Sequence, residues 1–268
     1  MRTRALPALL LVAAAGCAGQ SITASTYPFP SPTPVCVPQL TGTIPATEMQ
    51  PFLGVPAHFY VSTGQEPIDL GSWDWSWSAA TDASVGLTAS ALPGGWYAAS
   101  FPTGQFSAPI DVAQTTDGIY RVDSQALWLL GIASHQANPP SGKTLLVYQS
   151  PIPLYRFPLY VGATWNASAT APNGTLNGAP WAQVDTYAIT VDSAGTLTLP
   201  DLTFQTALRV RTDIVSQGPI GAPVGRRLVS YLFECYGEVA RATSNLDEPA
   251  PNFTTASEIR RLGLPSGN

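Results

Sequence analysis

Through its second half the chain alternates apolar and polar residues with a period of two. "DTYAITV" sets Tyr187, Ile189 and Val191 against Thr186, Ala188 and Thr190, and a strand sends successive side chains to opposite faces. "GTLTLP" repeats the alternation with Leu197 and Leu199. "TALRVRTDI" puts Leu208, Val210 and Thr212 opposite Arg209 and Arg211, and "LVSYLFECYG" gathers Val229, Tyr231, Phe233 and Cys235 ahead of Gly237. Turn-forming stretches ("DSAG", "LPDLT", "GPIGAP", "NGTLNG") separate these runs. In the first half, "GSWDWSWSAA" spaces Trp73, Trp75 and Trp77 by two, so a strand here would carry all three indoles on one face and Asp74 on the other. Helical periodicity is nearly absent. "SQALWLLGIASH" (Ser124–His135) has an apolar run that fits either element and is broken by Gly131. The pattern predicts an all-β protein built on an antiparallel sheet.

Prolines and glycines predict how that sheet bends. Pro158 fits the start of a strand, Gly162 a tight turn before Trp165, and Pro200 a strand end where no donor is needed. Gly237 predicts a bulge. Bends of this kind curve a sheet strongly into a half-barrel or incomplete barrel with a concave face. One β domain over 35–268 is expected, with two β halves joined near residue 150 as the alternative.

The N-terminus "MRTRALPALLLVAAAGCAGQ" has two arginines followed by an apolar run from Ala5 to Ala15. That run is shorter than the about 20 residues needed to span a bilayer and matches a secretory signal. "AAGC" (Ala14–Cys17) resembles the lipobox of bacterial lipoproteins, with Ala14 where leucine is usual. The resemblance implies cleavage after Gly16, a signal peptide over 1–16 and a lipid on Cys17. Several acyl chains at about 0.8 kcal/mol per buried methylene anchor a protein stably. Ala18 is not the acidic residue that retains some lipoproteins at the inner membrane, so the resemblance places the protein at the outer membrane, facing the periplasm or the surface. Residues 17–34, rich in Ser, Thr and Pro, read as a tether.

"LYRFPLYVGATWNA" (Leu154–Ala167), "GTLTLPDLTFQTALRVRT" (Gly195–Thr212) and "YLFECYGEVARATS" (Tyr231–Ser244) resemble DUF3108-type and lipoprotein-carrier (LolA/LolB-like) envelope proteins. These have a curved antiparallel sheet. The chain departs from their pattern at Asp201, where a loop glycine is usual, and at Glu234 and Cys235. The shared motifs describe turns rather than chemistry.

With Cys17 acylated, two cysteines remain, and in an exported protein Cys36 and Cys235 are expected to pair. Removal of residues 1–16 leaves ten Lys and Arg against seventeen acids, a net charge of about −7. No Lys or Arg occurs from Cys17 to Tyr120, while seven acids do. Without a basic stripe, nucleic acid is excluded as a partner.

Candidate chemistry is sparse. There is no G-x-S-x-G elbow, no HExxH, no cofactor fingerprint and no cysteine–histidine cluster for a metal. His58 and His135 lack a nucleophile nearby in sequence, and His135 reads as an exposed or capping residue. Asp74, between Trp73 and Trp75, is the candidate glycosidase acid, but strand alternation turns it from the indoles. Arg209 and Arg211, with Arg226 and Arg227, either bind an anionic group or pair across strands with acids such as Asp185 or Asp213. "EIRRLG" poses the same choice for Arg260 and Arg261. Trp73, Trp75 and Trp77 line either a core or a hollow. The residues therefore describe a lipid-anchored envelope protein without catalytic residues. It would bind an apolar ligand or protein segment in a concave sheet, Trp73, Trp75, Trp77, Arg209 and Arg211 being the candidate contacts. A glycan-binding module or glycosidase using the tryptophan row, and a structural envelope component, are the alternatives.

Overall fold

A computed structural model describes residues 36–77 and 81–264. Residues 1–16, expected as a signal peptide, and 17–34, expected as a tether beginning at Cys17, lie outside the described residues. Thirteen strands follow one another: β1 (Pro56–Pro67), β2 (Ala83–Thr88), β3 (Ser90–Ala91), β4 (Phe106–Pro109), β5 (Thr116–Val122), β6 (Ala126–Ser134), β7 (Leu145–Arg156), β8 (Thr164–Leu176), β9 (Ala179–Thr198), β10 (Thr203–Gln217), β11 (Val224–Phe233), β12 (Gly237–Ser244) and β13 (Thr255–Leu262). All belong to one antiparallel sheet in the order β2-β1-β13-β12-β11-β10-β9-β8-β7-β6-β5-β4-β3. Residue 150, considered as a junction between halves, falls inside β7.

This order is an up-and-down meander bent round on itself. β1 pairs with β13, which brings the first strand against the last. The two edges, β2 and β3, are separated only by Ala89 and form one interrupted strand. Its first part pairs with β1 and its second with β4, and β2 lies beside β4. The result is an incomplete barrel of twelve strand positions whose unsealed seam runs along Ala83–Ala91. Bulges supply the curvature, among them the register shifts at Arg209/Val210 and Tyr231/Leu232. Gly237, expected to bulge, instead has φ +72° in the β11–β12 turn, and the bulge falls at Val239.

"ALWLLGIAS", the ambiguous segment, is β6. Its pairing slips between Leu129 and Gly131, and a Cβ at Gly131 would sit 2.1 Å from the Leu146 carbonyl oxygen. The backbones approach too closely for any other residue, which explains a glycine inside an apolar run.

Three apolar clusters hold the barrel. One lines its interior, including Leu129, Tyr148, Trp165, Tyr187, Ile189, Val191, Leu208, Val210 and Leu232. The predicted Tyr187–Ile189–Val191 face is therefore the inner one. The other two lie mainly on the outside, because connections fold back over the sheet, although Phe59 and Leu87 of the larger one face the interior. Residues 68–77 cover β10–β13 and β1 with Ile68, Leu70 and Trp75. Residues 92–104 cover β5 and β6 with Leu92, Tyr97 and Phe101.

A cap segment, residues 36–55, crosses one end. Cys36 is bonded to Cys235 at the β11–β12 turn. Ile44 bridges to Leu159 in the β7–β8 turn, the Cys235 N–H donates to the Glu48 carbonyl at 2.9 Å, and Gly54 donates to Ala89 at 2.8 Å. Ile44 and Met49 are buried beneath it.

Candidate functional site: the barrel interior

An eight-stranded barrel is filled by its own side chains, whereas a wider one retains space. Here the interior holds two cavities. The first, about 380 Å³, lies toward the uncapped end and is lined from β5 to β7 and β9 to β13, by Tyr120, Leu129, Ile132, Tyr148, Tyr187 and Leu228 among others. The second, about 320 Å³, lies under the cap, against Met49, Phe52, Phe59, Leu87, Phe106 and Tyr155. Ile110, Tyr120, Leu154 and Arg241 line both, so the two are compartments of one bore.

An ionic belt divides them. The Arg241 guanidinium lies 3.6 Å from both Glu238 and Glu258, and Arg260 bonds Glu258 at 2.8 Å. Both arginines also donate to the Ile110 carbonyl, at 3.0 and 3.1 Å, and Ser230 Oγ donates to Glu238 at 2.8 Å. Arg241 and Arg260 face each other across the β12–β13 ladder. Like charges so placed repel, and the two glutamates offset that. Burial works against the Arg241 charge, but Glu238 and Glu258 outweigh it and hold its pKa up. Burial raises the Glu258 pKa against the pull of Arg241. Two arginines against two glutamates leave the belt neutral.

Toward the uncapped end another buried carboxylate is paired as well. Buried Asp185 accepts from Tyr148 Oη at 2.5 Å and from Gln183 Nε2 at 2.8 Å. Burial pushes the Tyr120, Tyr148, Tyr155 and Tyr187 phenols well above the ordinary tyrosine range, so they stay neutral. The wall is thus mainly apolar and aromatic, with its buried polar groups paired internally apart from Arg241 Nε, which has no hydrogen-bond partner among the described residues.

The residues singled out in the sequence lie elsewhere. "GSWDWSW" (residues 71–77) joins no ladder apart from one parallel bridge, Asp74 to Thr198, and packs on the outer surface. The expected strand is absent because Ser72, Asp74 and Ser76 fold onto their own backbone: Asp74 accepts from the Ser76 N–H at 3.0 Å, and Ser72 Oγ from the Asp74 N–H at 3.0 Å. The indoles nevertheless gather on one side. Trp73 and Trp75 meet the Tyr231 ring edge-on at 5.1 and 4.9 Å, and Trp77 leans on Trp75 at 5.7 Å. Trp75 is fully buried, Trp73 half-buried and Trp77 exposed. Gly195 makes room, since a Cβ there would lie 2.9 Å from the Trp73 ring.

Arg209 and Arg211 pair across strands, but with Asp192 rather than Asp185 or Asp213. At the bulge opposite Arg209/Val210, Asp192 has no ladder partner and swings between the two arginines. Arg209 grips it with bonds of 2.8 and 3.1 Å, and Arg211 also bonds it. Burial would raise the Asp192 pKa, but hydrogen bonds from Arg209 and Arg211 prevail and lower it. Asp213 pairs with Arg227 at 2.7 Å instead. These groups lie on the outside, away from the bore.

His135 is half exposed, as read, and its Nδ1 lies 3.0 Å from buried Asp117, which also accepts from Tyr97 Oη at 2.6 Å. This trio lies beside the 92–104 connection, in a pocket separate from the bore. The 18-residue separation of Asp117 and His135 gave no sequence signal; they meet because β5 and β6 pair. The belt was missed too, although Glu258 and Arg260, two apart in a strand, share a face. Among the described residues, no cluster of three His, Cys, Asp or Glu fit to hold a metal occurs. Compared with known protein families, curated proteins and solved structures, the chain matches none.

Proposed function

We propose that this chain is a lipid-anchored, outer-membrane envelope protein that binds a small apolar ligand inside its barrel without catalysing a reaction. The lipobox-like "AAGC" at Cys17 supports the anchor. The observation that carries the binding reading is the bore itself, two connected compartments of about 380 and 320 Å³ walled by aliphatic and aromatic side chains. Sites for small molecules are concave, largely apolar and start near 300 Å³. Neither histidine lines either compartment, Arg241 and Arg260 are engaged with Glu238 and Glu258, and buried Asp185 is engaged with Tyr148 and Gln183. The resemblance to lipoprotein-carrier proteins points the same way.

A glycan platform needs an exposed flat row of rings, and of the three indoles Trp75 is wholly covered. Native mass spectrometry of protein isolated from the envelope tests the proposal. A retained adduct of apolar or amphiphilic mass, lost on organic extraction, is expected. Protein that is uniformly free of adduct, and remains so after incubation with fatty acids and phospholipids, would count against it.

A further inference from the structure

The capped end of the barrel is apolar on its outer surface. Phe52, Leu53 and Val55 of the cap, Tyr160 and Val161 of the β7–β8 turn, and Tyr236 of the β11–β12 turn are all exposed there. They share this end. Phe52, Val55 and Tyr236 border the same cavity mouth, while the Ile44–Leu159 bridge joins the cap to the turn that carries Tyr160. Three carboxylates of this end are engaged within the protein, and Glu48 of the cap is buried with its Oε2 unpaired. Asp201 accepts from Tyr60 Oη and the Leu264 N–H, and Asp123 from the Gln125 and Ala126 N–H groups. Glu234 is buried and accepts from Leu40 and Thr41. An exposed apolar patch of this kind marks an interaction surface.

The position of Cys36 indicates the partner. Its bond to Cys235, next to Tyr236, fixes the start of the described chain to this same end. Cys17 precedes Cys36 by 19 positions, a reach of at most roughly 65 Å when fully extended. We propose that the capped end docks on the bilayer holding the Cys17 lipid, with Phe52, Leu53, Val55, Tyr160, Val161 and Tyr236 entering the headgroup region and the uncapped end turned away. Aromatic side chains favour that region, and docking through apolar contacts does not need the basic residues this acidic chain lacks. The inference rests on the lipid-anchor reading.

The test uses acylated full-length protein carrying a bimane label at Phe52→Cys, Tyr160→Cys or, at the uncapped end, Ile220→Cys, reconstituted on phosphatidylcholine vesicles containing nitroxide-labelled lipid. Quenching several-fold stronger at positions 52 and 160 than at 220 is expected, and either capped-end position suffices if the other variant does not fold. Equal quenching at the three positions, or the strongest at 220, overturns the proposal. So does a concentration-dependent dimer that shields 52 and 160 while lipid leaves them unquenched, because a second copy then covers the face. The mass of the Cys17 peptide reports the anchor separately. Unacylated protein still quenched at 52 and 160 keeps the docking face and removes the anchor; acylated protein unquenched there does the reverse.

Discussion

Arg260 and Arg261 are consecutive in β13, yet their guanidiniums lie in different compartments. Arg260 joins Glu258 in the bore, whereas Arg261 is fully buried on the outside, bonded to Asp82 and, at 3.1 Å, to the Trp75 carbonyl. The Trp77 ring covers it, 4.8 Å from the guanidinium carbon. Strand alternation places the two charges on opposite faces, and each face is buried because a connection folds over the outside. Arg261 therefore ties the 68–82 connection to the barrel wall.

Removing it should be costly. Breaking a buried ion pair by truncating one partner costs about 3–5 kcal/mol, since the other charge is left uncompensated. Arg261→Ala should lower the urea midpoint accordingly. Arg227→Ala, whose partner Asp213 is half exposed, should cost about 0–1 kcal/mol. Equilibrium unfolding of both variants checks the contrast.

The tryptophans should differ from one another as sharply. Trp75→Ala opens a large hole in the outer cluster and should cost about 3–5 kcal/mol. Trp77→Ala removes a ring that is 39% exposed but covers buried Arg261, and should cost about 1–2 kcal/mol. Thermal unfolding monitored by circular dichroism distinguishes them.

Asp192 should supply part of the loss of stability in acid. Its pKa is lowered in the folded state, so its contribution is complete above the unfolded aspartate value near 3.8 and is lost as pH falls through the folded value. Stability measured from pH 6 down should decline below about pH 4, and Asp192→Ala should flatten that limb while costing about 1.5–3 kcal/mol at neutral pH.

Tyrosines set the alkaline limit with the opposite sign. Burial, then the bond to Asp117, pushes the Tyr97 phenol up to about 12, and the bore tyrosines lie further above their usual range. A raised pKa contributes stability that is full below the unfolded value near 10 and is lost as pH rises toward the folded one. Between pH 10 and about 12 the protein should unfold cooperatively, with most phenolate absorbance at 295 nm appearing in that transition rather than before it.

The strands were legible where one face is buried and the other solvated, as in "DTYAITV", whose inward and outward residues fall as the alternation places them. Legibility ended where the wall is buried on both faces. "EIRRL" offers no period-two contrast between Arg260 and Arg261, because each charge has its own buried partner. "SWDWSW" (residues 72–77) has the right spacing for a strand but lacks a ladder, since serine and aspartate side chains capture the local N–H groups. The Arg209–Asp192 pairing depends on a bulge that sequence spacing does not show. The pairing of Cys36 with Cys235, expected once the lipobox resemblance sets Cys17 aside, is present. It closes a loop of about 200 residues, for which chain entropy allows about 5 kcal/mol as an upper figure.

The central claim is an apolar site inside the barrel. The most direct test is titration of a fluorescent fatty acid into delipidated protein, comparing wild type with Ile132→Trp, which fills the first compartment from its wall, and with Trp77→Ala on the outer surface. Saturable binding that Ile132→Trp abolishes and Trp77→Ala leaves intact is the predicted result. Absence of saturable binding, or binding lost only with Trp77→Ala, would contradict it.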